Sequence, residues 1–223
     1  MGSVLVIAPH PDDETLGCGG TLLNHSDRGD ALHWTIVTRV WEPLYPREAA
    51  DRQAHQVKAV AAAYQFAKTD WLDFRTADLD ALPLNTIICR LREVIEAVRP
   101  EIVYLPSPDD AHSDHRVVFQ AAMAVLKTFY MRDLGIRRIL ACEIPSETDA
   151  GIPGIGDRFV PQIYCDISKT LERKLAIMQL FESEMHPEPL PRSVSAIRAL
   201  ARSRGATIGT EYAEAFMLVR ELG

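Results

Sequence analysis

His10, Asp12 and Asp13 stand together in Ala8-Pro9-His10-Pro11-Asp12-Asp13-Glu14-Thr15, and His112, Asp114 and His115 in Ala111-His112-Ser113-Asp114-His115. Imidazole and carboxylate are usual ligands of a catalytic Zn²⁺, which needs about three protein ligands and an open position. The short spacing of His10 and Asp13 lets both reach one ion across a tight turn, and His115 can complete a His-Asp-His set. Asp12, between the first two, cannot easily point the same way. It is free to act as general base on a metal-bound water. His112 is left as a candidate acid or oxyanion stabiliser, and Asp114 as the group that orients an imidazole. The bland reading makes Asp12, Asp13 and Glu14 charges at a helix amino end and the histidines surface residues. Two separate clusters that each combine His with Asp are hard to obtain that way.

Both clusters follow an apolar run. Val4-Leu5-Val6-Ile7 reads as a buried parallel strand that breaks at Pro9, with His10 held extended by Pro11 behind it. Ile102 to Leu105 is a second such strand. A helical pattern starts after each cluster, so the polar residues sit at a strand's carboxyl end and a helix's amino end. In an open α/β sheet that is where ligands bind. Further strands are expected at 32–40, 70–74, 138–142, 159–167 and 217–220. Helices are expected at 47–66, 84–98, 114–131 and 169–181, the last capped by Ser168. Pro161 argues for an edge position for the strand at 159–167. Residues 75–82 read as a loop. The Gly-, Pro- and acid-rich stretch 146–157 reads as a mobile loop over the cleft or at a subunit contact.

The 223 residues suit one α/β domain over 1–223, and 47% apolar with 25% charged residues is ordinary for a globular protein. A formal net charge of −7 argues against a nucleic-acid partner or an anionic membrane surface. No run is long enough to span a bilayer and no signal peptide is read, so a cytoplasmic protein is expected. Cys18, Cys89, Cys142 and Cys165 lack a short paired spacing and read as buried reduced thiols.

Gly17-Cys18-Gly19-Gly20 follows the acidic cluster rather than the strand and lacks the G-x-G-x-x-G spacing. It reads as a close-packing surface, with no dinucleotide bound. Trp41 and Tyr45 follow the second strand and either line the cleft or plug the core. Arg192, Arg198, Arg202 and Arg204 fall in and just before a helix capped by Ser193 or Ser195. They are either ordinary helix cations or a rim that reads an anionic part of the substrate through Arg198 and Arg202. His186 reads as structural or as a substrate contact.

The pair of motifs resembles the zinc-dependent N-deacetylases of the LmbE-like, or PIG-L, family. That family includes the N-acetylglucosaminyl-phosphatidylinositol deacetylase and the deacetylases of mycothiol and bacillithiol synthesis. The resemblance implies a Rossmann-like three-layer fold with a mainly parallel sheet and the active site at the carboxyl ends of its strands. It implies His10, Asp13 and His115 as ligands of Zn²⁺, with Fe²⁺ as the other candidate ion. It further implies Asp12 as base and His112 as the group that polarises the carbonyl or protonates the leaving amine. The substrate it implies is a small N-acetyl sugar or glycoconjugate, with a homo-oligomer possible from the family's habit. Arg52 matches an arginine that contacts the family's active site, with Arg47 as the alternative. Lys174, Phe181, Ser183, Glu184 and the segment Ala213-Glu214-Ala215-Phe216 resemble family features nearer the carboxyl end, where Glu214 supports the site. Some thiol-pathway relatives have a tyrosine where Asp110 stands here. A zinc hydrolase of another amide or ester is the alternative enzyme. A non-catalytic nucleotide-binding module is the alternative of another class, and it leaves the His-Asp clusters unexplained.

Overall fold

Alternation of buried strands with one-sided helices builds a Rossmann-like α/β sandwich of three layers. The computed structural model describes residues 2–151 and 159–223. β1 (Ser3–Ala8) leads into α1 (Asp13–Asp27), β2 (Ala31–Arg39) into α2 (Arg47–Tyr64), and β3 (Lys68–Arg75) into α3 (Leu84–Val98). β4 (Ile102–Leu105) is followed by α4 (Ser113–Val125), α5 (Thr128–Leu134) and β5 (Arg138–Cys142). Then come β6 (Ile163–Asp166), α6 (Leu171–Met178), α7 (Val194–Ile208) and β7 (Ala213–Glu221). The sheet order is β3-β2-β1-β4-β5-β7-β6. The strands from β3 to β5 are parallel neighbours, and β7 runs antiparallel to both β5 and β6.

The period of two along β1 separates the core. Val4, Val6 and Ala8 pack with α1, α2, α6 and α7 on one face, and Leu5 and Ile7 with α3, α4 and α5 on the other. The chain leaves β1 toward β2 and β3, then returns to pair β4 on the other side of β1. The loops after β1 and β4 therefore diverge and leave a crevice between them, the topological switch point of an open parallel sheet. Both His-Asp clusters lie on those two loops.

α1 is broken at Cys18, whose φ of −144° and ψ of 19° are not helical. The Gly20 N–H donates to Glu214 Oε1 at 2.9 Å instead of to the Leu16 carbonyl, which accepts from Lys174 Nζ at 2.9 Å. Lys174 and Glu214 are both buried and close the gap with a 2.7 Å ion pair, so a salt bridge replaces one helical hydrogen bond. The glycines allow this packing. A Cβ on Gly20 would lie 2.7 Å from Ile167 Cγ2, and one on Gly17 would lie 2.8 Å from Cys142 Cβ.

Several boundaries move from the sequence expectation. The helix expected over 114–131 is two helices. Leu126, with φ −83° and ψ 43°, ends α4, and its carbonyl accepts from Arg220 Nη1 at 2.8 Å. Val125, Leu126 and Met131 are all buried, so hydrophobic periodicity runs through the break without registering it. Thr170, not Ser168, stands at the N-cap of α6, while Ser168 bonds the Asp166 carboxylate at 2.6 Å. β6 begins only at Ile163, after Pro161, and is an edge strand. Residues 79–81 form a 3₁₀ turn within the expected loop. Cys89 is exposed on α3 rather than buried. Half of the expected mobile loop, residues 152–157, lies outside the described residues.

Removing one member of a buried ion pair strands the other charge, so Glu214→Ala should cost about 3–5 kcal/mol in urea denaturation. Arg173→Ala breaks only the exposed pair with Asp27 and should change stability by roughly 0–1 kcal/mol. Equal costs for the two variants would refute this account of α1.

Candidate active site

The first loop is pinned to β2: the Pro9 carbonyl accepts from both the N–H and the hydroxyl of Thr38, at 3.0 and 2.9 Å. The His10 N–H donates to Asp13 Oδ2 at 2.7 Å, which folds the turn so that both side chains face the same way. Asp12 sits between them with φ of 124°, a backbone conformation that costs a non-glycine residue on the order of 1–3 kcal/mol. The second loop closes on α4, where His112 is the N-cap and its Nδ1 accepts the Asp114 N–H at 3.1 Å.

The two loops meet. His10 Nδ1, His115 Nε2 and Asp13 Oδ2 form a triangle with all three sides 3.3 Å. The ligand atoms of His10, Asp13 and His115 all lie within 4.8 Å of one another. Each imidazole is held on its far side by a carboxylate. Asp114 Oδ2 lies 3.1 Å from His10 Nε2, and Asp110 Oδ2 lies 2.8 Å from His115 Nδ1. Asp114 is itself fixed by the N–H groups of Ala77 and Leu79, at 2.8 and 3.3 Å, and Asp110 by the Thr148 hydroxyl at 2.6 Å. Asp13 Oδ1 is buried and has no hydrogen-bond partner among the described residues. A carboxylate with one orphaned oxygen, whose other oxygen faces two converging imidazole nitrogens, fits a divalent ion held by His10, Asp13 and His115.

The electrostatics follow from burial and pairing. Burial pushes the His10 pKa down, but its bonds to Asp114 and Asp13 outweigh this and hold it up at about 9. His115 is likewise desolvated, yet the Asp13 charge and the Asp110 bond raise it to about 10. Asp13 is also desolvated, but the same two histidines keep it well below the usual carboxylate range. Asp12 is pushed well up by burial and by the Asp13 charge, against the pull of Arg192. His112 is lowered by burial and by the neighbouring His10. Because its Nδ1 accepts a backbone N–H, its neutral ring carries the hydrogen on Nε2.

Of the arginines, only Arg192 among the four of its segment reaches this cluster. Its Nη1 lies 2.8 Å from Asp12 Oδ2, its Nε 2.8 Å from Ser146 Oγ, and its Nη2 3.2 Å from Glu147 Oε1. Arg192 precedes the Ser193 cap, so it belongs to the loop, whereas Arg198 and Arg202 lie on the body of α7. Those two pair with Glu172 and Glu211, in α6 and the turn before β7, which carry no residue of the His-Asp cluster. Neither Arg198 nor Arg202 is bonded to a residue of the His-Asp cluster; their ion-pair partners are Glu172 and Glu211. Arg52 is exposed on α2 and borders a small cavity with Pro11, Tyr45, Phe181 and Glu184. Trp41 is half plug, its indole N–H bonding the Thr76 carbonyl at 3.0 Å. His186 is exposed, and its N–H meets the Arg192 carbonyl at 3.4 Å. Asp110 and Arg192 are the residues that reading by motif missed. The available signals were a carboxylate five residues ahead of His115 and an arginine placed just outside a cap.

Comparison with known proteins agrees with this geometry. The PIG-L family, described as GlcNAc-PI de-N-acetylase, matches residues 5–126. The diacetylchitobiose deacetylase of Thermococcus kodakarensis is 27% identical over 231 residues, covering 97% of this chain and 82% of that protein. The N,N'-diacetylchitobiose deacetylase of Pyrococcus horikoshii, solved with its inhibitor MPG, is 24% identical with a TM-score of 0.76, covering 98% and 84% of the two chains. The 4-carboxy-2-hydroxymuconate hydratase GalB of Pseudomonas putida KT2440 also has a TM-score of 0.76 at 19% identity, covering 100% and 98%. At such identities a structural likeness speaks to fold alone, and the hydratase makes plain that this fold does not fix the reaction. The match across both clusters does identify the lineage: the chain belongs to the PIG-L family of de-N-acetylases.

Proposed function

We propose that this protein is a metal-dependent N-deacetylase that hydrolyses the acetamide of an N-acetylglucosamine-type sugar or glycoconjugate to amine and acetate. The observation that carries this reading is the Asp13 carboxylate, with Oδ1 orphaned and Oδ2 3.3 Å from each of two converging imidazoles, and a second buried carboxylate, Asp12, next to it in the chain. The sugar follows from the kinship with the diacetylchitobiose deacetylase. Zn²⁺ is the ion we assign, with Fe²⁺ the competing one.

His10, Asp13 and His115 hold the ion, which when bound polarises a carbonyl and acidifies water. Asp110 and Asp114 orient the two imidazoles and favour them as donors. Asp12, anchored by Arg192, takes the proton of the attacking water and returns it to the departing nitrogen. His112 presents Nε2–H as a hydrogen-bond donor to the oxygen on which charge develops. A donor of this kind is worth about 3 kcal/mol. Its lowered pKa keeps it neutral at pH 7, which favours the oxyanion role over that of a cationic acid. Arg52, at the mouth beside Pro11, is the proposed sugar contact.

Three outcomes follow. Acetate should be released from a panel of N-acetylglucosaminides by the metal-loaded protein, lost on chelation and restored by Zn²⁺, and Asp12→Asn should keep the metal while losing about 100- to 10,000-fold in kcat. Full metal occupancy with no acetate from any member would move the protein to another amide or ester. Asp110→Asn should weaken Zn²⁺ affinity roughly 10–100-fold in a competition with a chromophoric chelator; unchanged affinity would remove Asp110 from the site. His10 and His115 are cationic at neutral pH in the metal-free protein and must lose protons to ligate. Zn²⁺ uptake should therefore release protons, and apparent affinity should climb with pH until both rings are neutral, at about pH 9–10. Calorimetric heats that do not vary with the buffer's ionisation enthalpy would contradict that assignment.

A further inference from the structure

Glu14 is the one carboxylate of the first loop that neither the proposed ligand set nor the proposed base employs. It is 1% exposed, so it does not serve as a solvated helix charge. Both of its oxygens are occupied. Oε2 accepts the Asp12 N–H at 3.0 Å and Oε1 accepts the Thr15 hydroxyl at 2.6 Å. The Thr15 Oγ1 in turn accepts from Tyr64 OH at 3.1 Å. Tyr64 is fully buried at the end of α2, so Glu14 is tied to a second element of the fold and not only to its own turn.

The group at the other end of this chain of bonds is the strained one. Asp12 has φ of 124° and ψ of −29°, a backbone state that an L residue adopts only when its surroundings enforce it. Its backbone is held by the Glu14 carboxylate on the N–H side, and by the Leu16 N–H donating to its carbonyl at 2.8 Å. Its side chain lies on Arg192. A first-turn carboxylate that bonds the cap's own N–H resembles a capping box, but here it is buried, comes two residues on rather than three, and holds a cap at φ 124° rather than in the usual extended conformation.

We infer that Glu14 is the positioning residue of Asp12: its carboxylate locks the Asp12 peptide in the positive-φ conformation that sets the proposed base beside His10, Asp13 and His115. The inference rests on the reading of Asp12 as the base. Glu14 touches no reacting atom, and its effect passes entirely through Asp12. The Tyr64–Thr15 pair holds Glu14 in turn.

The test is a set of variants of the full chain, assayed for acetate release, bound zinc and melting midpoint. Misplacing a catalytic group by about 1 Å costs on the order of 100-fold, so Glu14→Met should lose about that in kcat while KM and zinc content stay near wild type. Glu14→Gln keeps a carbonyl acceptor for the Asp12 N–H and should restore most of the activity. In the Asp12→Asn chain, Glu14→Met should cause no further loss, because a residue that acts through another is non-additive with it. Glycine adopts the position-12 conformation without strain, so Glu14→Met should lower the melting midpoint less in the Asp12→Gly chain than in the wild type. Should Glu14→Met fail to fold, Thr15→Val carries the test: a fall in kcat at constant KM, reversed by Thr15→Ser, supports the inference. Losses that add in the Asp12→Asn chain, a Gln variant as impaired as Met, or Thr15→Val with unchanged kcat each overturn it. A fully active Asp12→Asn refutes the base reading itself. An inactive Asp12→Asn beside a normal Glu14→Met refutes only the role of Glu14.

Discussion

Five carboxylates, Asp12, Asp13, Glu14, Asp110 and Asp114, are buried within two short loops, and the rest of the site is arranged around that one electrostatic burden. Carboxylates removed from water are tolerated only when cations and N–H groups stand in for the lost solvent. Each has its own answer. Asp114 takes two backbone N–H groups and His10, Asp110 takes His115 and Thr148, Glu14 takes the Asp12 N–H and Thr15, and Asp12 takes Arg192. Asp13 is left with one oxygen unanswered. That residual deficit is the physical basis for reading the site as a cation centre, and it gathers the histidines by the same attraction that a metal would later replace.

The scaffold makes this arrangement possible by topology. Parallel strands place their carboxyl ends on one edge, and the reversal of strand order beside β1 opens a crevice there. The first helix must then start directly under the crevice and pack closely against β5 and the segment before α6. Its glycines allow the approach, and the Lys174–Glu214 pair repairs the helical bond lost at Cys18. The antiparallel β7 brings Glu214 to that point. Residues far apart in the chain thus stabilise the helix that carries the first motif, without touching the chemistry.

A fold shared by deacetylases and a hydratase cannot by itself select a reaction. What selects amide hydrolysis here is the division of labour the site supports. Two imidazoles are backed by carboxylates, the proposed base Asp12 is buried at a positive-φ position, and His112 has its Nδ1 engaged by a backbone N–H, which leaves its Nε2 as the proposed donor. The acidic surroundings of Arg192, with Asp12, Glu147 and Glu184 all on one guanidinium, leave it engaged as a clamp between Asp12 and the loops around it.

The sequence alone determined the chemistry-bearing residue types and the ends of the elements on which they sit. An apolar run followed by Pro-His-Pro-Asp-Asp reads locally, because strand burial, proline stiffness and helix starts are decided within a few residues. The strands at 102–105 and 138–142 and the helix at 84–98 were legible for the same reason. Tertiary structure alone decided that Asp110 backs His115, that Arg192 rather than Arg198 or Arg202 meets Asp12, and that the helix at 114–131 breaks at Leu126. Each of these depends on what another part of the chain brings across the crevice or the core: Thr148 to Asp110, the loop before α7 to Asp12, and Arg220 to the Leu126 carbonyl. Periodicity and spacing record how a residue relates to its neighbours along the chain. They hold no record of which distant side chain the sheet order will set opposite it.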